Sequence, residues 1–457
     1  MFSAIFEQFA EASSVTVMVR AIMEKAFSPE KLDLLFEQTA EKQYTKELLF
    51  STLVSVMSLV VSGIHPSVSA AHKALGKAVG VSKPALYAKL NGLEVPISQA
   101  LVRYSNEQLL PVIEELAVPQ TEQLPGFALR IADGNHLAGT EHRLEVLREK
   151  RSGALPGLSI AVLDPQKMLV TDVFPCEDAH AQERSLFPTI LETVQAKQVW
   201  IADRNFCTNA FLIGISQRDA YFLIREHKGL AWQELESLKK VGTSHTGEIF
   251  EQNIAIANDK GDMFTIRRVV IKLYNPTRHK DDEVVVLTNL PADVANAQLV
   301  CSLYLERWTV EKMFQVVTDV FSCELNTLGY PRAALFVFCV AIVAFNILST
   351  LKSALKAVHG VNKVDSLSDF YIVEEVQATY RGMMIAIPPI LWRPFEQMPV
   401  EQFAQTLKQL AAKVDLKRFS SSPRGVKKPR NREDYDPHHP HVSTARLLRE
   451  NKNKCSP

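Results

Sequence analysis

The alternation of apolar and polar positions in residues 303–321, LYLERWTVEKMFQVVTDVF, predicts one long amphipathic helix. Its apolar residues recur at helical spacing and form a stripe wide enough to pack against a sheet. A neighbouring face carries Tyr304, Arg307 and Glu311 at positions i, i+3 and i+7, together with Trp308. We therefore interpret this segment as a helix that packs on one face and presents a cation and a carboxylate on the next. An ordinary surface helix with an exposed Arg–Glu pair is the alternative.

The first 120 residues are predicted to be helical. Within them, HKALGKAVGVSKPALYAKLNG (72–92) contains an apolar helix, a turn with Gly80, an N-cap at Ser82 and a second helix. This is the outline of a helix-turn-helix, whose second helix would offer Lys83 and Lys89 to DNA. A plain pair of packed helices fits the same pattern.

The pattern changes from helices to strands near residue 121. Three hairpin-like strands, a helix, a strand, a second helix and a fifth strand predict a mixed α/β sheet. Asp133 and Asp203 are each predicted at the end of a strand. The predicted domains are an N-terminal helical domain, two parts of a catalytic core separated by a β-rich insertion, a C-terminal helical region and a basic tail: 1–120, 121–226 and 296–358, 227–295, 359–418, and 419–457.

The composition is ordinary for a soluble protein, with 47% hydrophobic and 22% charged residues. A chain of 457 residues is long enough for about two to four domains. The formal net charge is zero, but residues 417–457 contain eleven Lys and Arg against four Asp and Glu. This basic tail favours salt-dependent, sequence-independent attraction to DNA, with a solubilising tail as the alternative. Its central basic residues are Arg424, Lys427, Lys428, Arg430 and Arg432.

The six cysteines show no C-x2-C spacing, so neither a disulfide framework nor a structural zinc site is indicated. The opening segment MFSAIFEQFAEASS lacks the basic region and long apolar core of a secretory signal. The most apolar run, residues 333–348, is short for a membrane span and predicts a buried helix. We therefore expect a cytoplasmic protein without a membrane partner.

Three carboxylates, Asp133, Asp203 and Glu311, come from elements that should meet on the predicted sheet. Carboxylates brought together repel one another unless a positive charge shares the site, and a pair of divalent ions is the usual solution. Oxygen ligands suit Mg²⁺ or Mn²⁺, and two such ions activate a water or a 3′-hydroxyl for attack on phosphorus. Taken singly, an Asp at a strand end is more often a turn former or a helix cap.

These residues resemble the motifs of the DDE transposases of bacterial insertion sequences, in the branch whose third acid lies in Y-x2-R-x3-E-x6-K. Tyr304, Arg307 and Glu311 match that motif. The first-acid motif resembles Asp133-Gly134, and the second resembles IADRNF (201–206), which contains Asp203. The resemblance covers about residues 120–350 and implies an RNase H-like core with a β-rich insertion.

The resemblance assigns Asp133, Asp203 and Glu311 to metal binding, and Tyr304 and Arg307 to the phosphate of the strand that is not transferred. It implies Mg²⁺-dependent cleavage (Mn²⁺ being an alternative ion) at terminal inverted repeats, hairpin excision and strand transfer into target DNA. It also implies a synaptic homodimer, working on the nucleoid of a bacterium.

One position departs from the motif, because the expected Lys seven residues after Glu311 is Thr318. A catalytically inactive DNA-binding protein derived from a transposase is therefore an alternative, and an RNase H-like nuclease is a third. Inverted repeats beside the gene would favour the transposase.

Several other residues have two interpretations each. Arg225 could contact phosphate or pair with Glu226 or Glu251, and Trp232 could stack on an extruded base, as an aromatic does in relatives, or pack in the core. The acids near residue 180 are interpreted as a solvated helix start. The histidines lack ligand spacing and are interpreted as loop or surface residues near the first acid and as part of a polar tail near the end. The acids are Glu177, Asp178 and Glu183, and the histidines are His136, His142, His180, His438, His439 and His441.

Overall fold

The computed structural model describes residues 4–45, 47–119, 122–277, 280–421 and 441–455. Its N-terminal part is helical, as predicted, and the helix-turn-helix outline is present. Gly80 supplies the left-handed turn (φ 77°), and the Ser82 hydroxyl accepts the Ala85 N–H at the start of the second helix. The helices are α1 (Ala4–Ala12), α2 (Ser14–Ala26), α3 (Pro29–Thr39), α4 (Phe50–Val61), α5 (Val68–Leu75), α6 (Lys83–Gly92) and α7 (Val95–Leu116).

The first half of the core alternates strands and helices in the predicted order. Its strands read as apolar runs because both faces of the sheet are covered, β3 and β5 being almost wholly buried. The elements are β1 (Ala128–His136), β2 (Ala154–Leu155), β3 (Leu158–Asp164), β4 (Leu169–Cys176), α8 (Phe187–Thr193), β5 (Gln198–Ala202), α9 (Asn209–Ser216) and β6 (Tyr221–Arg225).

The core sheet has the strand order β4-β3-β1-β5-β6. Strand β1 runs antiparallel to β3, which runs antiparallel to β4, whereas β1, β5 and β6 run parallel to one another. This order and these directions are those of an RNase H-like core, so the predicted fold class is confirmed. The carboxyl ends of β1 and β5 meet at one edge of the sheet, where ligands of mixed and parallel sheets commonly bind.

The β-rich insertion lies between β6 and the next helix, and it continues the core sheet. Strand β11 pairs antiparallel with β6, and β10, β9 and β7 follow outward. Strand β8 also pairs antiparallel with β9 and completes a sheet of ten strands among the described residues. The inserted strands are β7 (Gln233–Glu234), β8 (Lys239–Thr243), β9 (Gly247–Ala257), β10 (Met263–Leu273) and β11 (Glu283–Thr288).

The single helix predicted for residues 303–321 is wrong. The segment forms two helices, α10 (Ala297–Leu305) and α11 (Trp308–Asp319). At the junction the Glu306 and Arg307 N–H groups donate to carbonyls only three residues back, as do those of Thr309 and Val310. This tighter turn rotates about 120° per residue, so α11 is turned relative to α10.

The most apolar helix, α12 (Pro331–His359), lies at the centre of the molecule. It is long and apolar enough to cross a membrane by length and composition, but its most apolar window is 94% buried inside the protein. The buried-helix prediction is therefore confirmed. On this helix the Asn346 amide bonds to both backbone groups of Val170 in β4 and to the Ser105 hydroxyl.

The remaining helices cover α12 and the N-terminal helices. They are α13 (Val361–Asp365), α14 (Asp369–Ala386), α15 (Arg393–Gln397) and α16 (Val400–Ala412). Residues 422–440, which include the five basic tail residues and His438 and His439, lie outside the described part.

The chain is described again from residue 441, where it pairs with β2. Strand β12 (Val442–Ser443) pairs parallel with β2, and α17 (Thr444–Cys455) follows it. The Arg446 guanidinium donates to both carboxylate oxygens of Asp178, and the Ser443 hydroxyl donates to one of them. The segment 441–455 is thereby fixed to the loop that follows β4.

Candidate active site

Asp133 and Asp203 lie side by side on neighbouring parallel strands. Ala132 of β1 is paired with Ala202 of β5, and each aspartate is the next residue. Asp203 follows the last residue of β5, as predicted, and its side chain caps the turn at Arg204–Phe206. Asp133 is inside β1, which continues to His136, so its predicted place at a strand end is wrong. The parallel register nevertheless brings the two acids together at one edge.

The two aspartates lie on the face of the sheet that α11 covers. Ile131 and Ile201, two residues before them, belong to the core that includes the buried face of α11, and side chains two apart on a strand share a face. Glu311 projects from α11 into the same cleft, whose volume is about 940 Å³. Three acids separated by up to 178 residues (311 − 133) thus line one cleft.

Arg307 lies between the first and third acids. Its guanidinium is 3.4 Å from Asp133 Oδ2 and 2.9 Å from Glu311 Oε1, and it stacks 4.5 Å from the centre of the Trp308 ring. The Arg307–Glu311 ion pair foreseen as the alternative is therefore present, with Asp133 as an additional partner. A guanidinium in this position offsets part of the repulsion among the acids.

The pKa of Asp133 is raised to about 6, mainly by burial, with the charges of Asp203 and Glu183 also raising it and Arg307 and the Gly134 N–H opposing them. The raised pKa reports an excess of negative charge in a partly desolvated cleft. A cation that entered this cleft would be attracted to it and would restore the ionised carboxylate.

Tyr304 lines the cleft from α10, but it is buried, contrary to the prediction that it is presented beside Arg307 on an open face. Burial raises the pKa of its phenol to about 12. The side chain that is open to the cleft is Trp308, which is 54% exposed. Sequence reasoning placed Trp308 on the polar face but assigned it no role.

Arg225 and Arg204 also line the cleft. Arg225 Nη2 lies 2.7 Å from Asp281 Oδ2, so its ion-pair partner is Asp281 and neither of the two glutamates considered. Those glutamates pair elsewhere, Glu226 with Arg268 and Glu251 with Arg267. Arg204 follows the second acid in IADRNF and was not predicted as a cleft residue. Its place next to Asp203 in the motif could have indicated that it lines the cleft.

Trp232 does not line the cleft with the acids. It lies in the insertion, 37% exposed, with the Arg268 guanidinium 5.2 Å from its ring centre. The sequence placed it in the insertion correctly, but the cleft wall there is made by other strands. Apolar residues of that wall are Ile249, Ile271, Leu273 and Val284.

Lys83 and Lys89 differ in their surroundings on α6. Lys83 is exposed, whereas the Lys89 ammonium lies 4.4 Å from the centre of the Phe36 ring and 3.3 Å from the Tyr44 carbonyl oxygen. Burial lowers the pKa of Lys89. Of the two candidate DNA contacts, only Lys83 is therefore presented to solvent.

Glu183 begins a one-turn helix (Glu183–Leu186), as predicted, but it is half-buried and not solvated. Burial raises the pKa of its carboxyl, and the charge of Asp203 raises it further against a hydrogen bond with Asn205. Its carboxyl group packs over Gly134, where a Cβ atom would overlap it. Only the glycine after the first acid could have signalled this packing.

The donors in the cleft suit a divalent cation, because they are carboxylate oxygens that carry an excess of negative charge. In the described part of the chain, no three His, Cys, Asp or Glu side chains are drawn closely enough together to hold one ion. Arg307 bonds to two of the candidate ligands. The residues therefore fit a cation in charge and donor type, with Arg307 as the local counter-charge.

Comparison with known proteins finds a family match for the central part of the chain. Residues 132–347 match the family model described as the transposase DDE domain. No protein of curated function matches the sequence. Among solved structures, the chain is similar to the piggyBac transposase in a cryo-EM synaptic complex with hairpin DNA, at 10% identity and a TM-score of 0.40, covering 92% of this chain and 87% of that one. Residues 132–347, just under half of the chain, therefore form a transposase DDE domain.

Proposed function

We propose that this transposase cleaves phosphodiester bonds at the ends of a DNA element and joins the freed 3′-hydroxyls to target DNA. The observation that carries the proposal is the register of β1 and β5, which sets Asp133 and Asp203 side by side in a cleft that Glu311 also lines. In this proposal the three acids hold Mg²⁺, for which Mn²⁺ can substitute. The ion would activate the attacking oxygen and stabilise the leaving one.

Arg307 has two roles in the proposed reaction. Its planar guanidinium suits a DNA phosphate, and its present partners are carboxylates of the cleft. With a DNA phosphate in the cleft, Arg307 would exchange its carboxylate partners for phosphate oxygens, and the released carboxylates would be the residues that hold the cation. Arg307 therefore compensates the negative charge of the acids before DNA binds and positions the phosphate backbone of the DNA afterwards.

The cleft wall determines how DNA can lie in it. Trp308 offers an exposed ring and the insertion strands offer an apolar surface, both of which suit sugar and base faces. Arg204 supplies a further positive charge beside Asp203. We assign stacking to Trp308 in preference to Trp232, and we keep Tyr304 as a buried support for Arg307.

The rival proposal is a DNA-binding protein that has lost the reaction. The observation in its favour is Thr318, an exposed residue on α11 where the motif has Lys. Arg204 and Arg225 line the cleft and provide alternative basic contacts, which is why we favour the active enzyme.

The test is cleavage of a labelled duplex that carries the inverted repeat found beside the gene, in the presence of Mg²⁺. We expect Asp203→Ala and Glu311→Gln to lower cleavage by about 10³-fold or more, because each removes a carboxylate of the reaction. Asp319→Asn is the matched control, since Asp319 is an exposed acid on α11 that bonds only to Gln315 among the described residues.

Each product pattern has one meaning. Equal cleavage by wild type and Asp203→Ala would remove Asp203 from the chemistry. A gel shift without cleavage under Mg²⁺ or Mn²⁺ would support the inactive DNA-binding protein, and cleavage without strand transfer would support a nuclease. We also expect a synaptic homodimer acting on the bacterial nucleoid, which sedimentation with paired ends would test.

A further inference from the structure

Arg225 lies in the same row of side chains as the first two acids. In the parallel pairing of β5 and β6, Ala202 lies beside Ile224. The next residues, Asp203 and Arg225, are therefore neighbours at the carboxyl ends of their strands. Leu223, two residues before Arg225, packs in the core that includes the buried face of α11, so Arg225 shares the sheet face of the acids. The cleft thus has a guanidinium one strand beyond the second acid.

A carboxylate of the chain itself holds this guanidinium. Asp281, from the connection between β10 and β11, also lines the cleft, and its Oδ2 lies 2.7 Å from Arg225 Nη2. The pKa of Asp281 is lowered, mainly by the hydrogen bond from Arg225, with the charges of Arg225 and Arg204 also lowering it against the opposing effect of partial desolvation. Asp281 is therefore ionised at neutral pH and lies in the field of two arginines.

Main-chain hydrogen bonds also hold the turn that carries Asp281. The Thr277 N–H donates to the Asp281 carbonyl at 2.9 Å, and the Asp281 N–H donates to the Thr277 hydroxyl at 3.1 Å. The Leu273 N–H donates to the Asp282 carbonyl at 2.9 Å. The Thr277 hydroxyl also reaches the Asp281 carboxylate, at 3.5 Å. The carboxylate can therefore leave Arg225 while the main-chain bonds of the turn remain.

We propose that Asp281 occupies a phosphate site of the cleft and that a DNA phosphate replaces its carboxylate on Arg225. This rests on the proposed function, since it specifies how DNA enters the same cleft. Carboxylate and phosphate oxygens bind a guanidinium in the same way, so they compete for it. Arg204 is exposed, lines the cleft and makes no ion pair in the described part of the chain, so it adds to the attraction for the phosphate. The internal ion pair therefore lowers the affinity for DNA.

Fluorescence anisotropy of a labelled duplex that carries the inverted repeat measures this competition. EDTA is present so that no strand is cut. We expect Asp281→Asn to lower the dissociation constant of the full chain by about fivefold, because the internal competitor for Arg225 is removed. The matched control is Asp282→Asn, which removes the same charge from the next residue, an exposed one outside the lining of the cleft. Its dissociation constant should change by less than about twofold, because an exposed charge is largely screened.

Arg225 has to mediate the gain in affinity. In an Arg225→Gln background, Asp281→Asn should tighten binding no more than Asp282→Asn does, since the guanidinium for which the oxygens compete is absent. Asp281→Ala is the second variant if Asp281→Asn does not fold, and it should give the same gain. Measurement of Tm confirms that each variant is folded.

The outcomes separate this inference from the function on which it rests. If wild type binds the duplex and neither Asp281 variant binds it more tightly, the ion pair serves only the fold and the inference is wrong. The inference is also wrong if Asp282→Asn gives an equal gain, or if the gain persists without Arg225. If wild type does not bind the duplex, the proposed function itself fails. A gain confined to the Asp281 variants that retain Arg225 supports the phosphate site.

Discussion

At the scale of single residues, the position of Arg307 determines how charge is distributed in the cleft, because two of the acids share its guanidinium. Arg307 reaches Asp133 and Glu311, whereas Asp203 has no Lys, Arg or His within 4.0 Å among the described residues. The guanidinium of Arg307 therefore compensates the charge of the first and third acids and leaves the second acid without an ion pair.

The sequence was sufficient to predict that the three acids would meet in one cleft, because they occur in recognisable motifs and at positions that secondary structure brings together. It was insufficient for Glu183, since the approach of that side chain depends on a loop that folds back over β1. The two tryptophans show the same limit. Periodicity located Trp308 on a helix and Trp232 in a strand-rich region, but only packing decides which ring borders the cleft.

The two lysines of α6 give a prediction at this scale. Lys83→Ala should weaken DNA binding for all sequences and reduce the slope of log K against log[salt] by about one, because one exposed phosphate contact is lost. Lys89→Ala should leave that slope unchanged and lower the free energy of unfolding by about 1 kcal/mol, because it removes the contact with Phe36.

Fluorescence anisotropy with a duplex at several salt concentrations, together with urea denaturation, separates the two effects. An unchanged slope of log K against log[salt] for Lys83→Ala would show that Lys83 does not contact a DNA phosphate.

At the scale of elements, the junction of α10 and α11 shows what helical periodicity can and cannot predict. Glu306 and Arg307 keep right-handed helical backbone angles, so the apolar stripe continues through them. The pattern therefore looks like one helix. The change to shorter-range hydrogen bonds turns α11 and directs Glu311 and Arg307 towards the strands, and this turn has no sequence signal such as proline or glycine.

A second element-scale feature is the attachment of α12 to the sheet. The Asn346 side chain bonds to the Val170 N–H at 2.8 Å and to its carbonyl at 3.0 Å, beside the register shift between β3 and β4. We expect Asn346→Leu to lower the free energy of unfolding by about 3 kcal/mol, because it leaves buried backbone groups without partners. Chemical denaturation measures this value. A loss below about 0.5 kcal/mol would show that the backbone groups of Val170 find other hydrogen-bond partners in the variant.

Glu94, before α7, gives a prediction of pH dependence. Its carboxylate accepts the N–H groups of Glu41, Lys42 and Gln43. Burial raises the pKa of Glu94, but these three hydrogen bonds outweigh it and the net pKa is lowered. A lowered pKa stabilises the fold above the unfolded pKa of about 4.3, and that contribution is lost as the pH falls through the folded pKa.

We therefore expect the difference in unfolding free energy between wild type and Glu94→Gln to be constant above about pH 5.5 and to shrink as the pH is lowered towards 3. Urea denaturation across this range measures it. A difference that does not depend on pH would show that the carboxylate charge has no part in holding the loop.

At the scale of the whole molecule, the order of helices and strands was predictable from the sequence. The joining of the insertion and the core into one sheet was not predictable. Strand and helix patterns gave the succession of core, insertion and helices. The insertion extends the core sheet because β11 pairs with β6. The periodicity of apolar residues does not indicate which strands pair when they are distant in sequence. Because of this pairing, the apolar wall of the cleft and the strands that position Asp133 and Asp203 belong to one sheet.

The return of the chain to the core at residue 441 gives the whole-molecule prediction. Arg446 and Ser443 hold Asp178 in the loop that leads to Glu183. Arg446→Ala should speed amide hydrogen exchange in residues 177–182 by at least tenfold, whereas Arg449→Ala, on the same helix, should not. Mass spectrometry of exchanged peptides measures this, and equal exchange in the two variants would mean that the segment does not brace the loop.

The docking of residues 441–455 also has a practical consequence. Their attachment uses main-chain bonds of β12 to β2, the buried residues Ser443, Thr444 and Ala445, and the Asp178 ion pair, none of which requires a covalent link to residue 421. A chain cut between residues 421 and 441 should keep residues 441–455 as a bound peptide. A synthetic peptide of residues 441–455 should likewise bind to a protein that ends at residue 421, so that adding the peptide controls when the structure is completed.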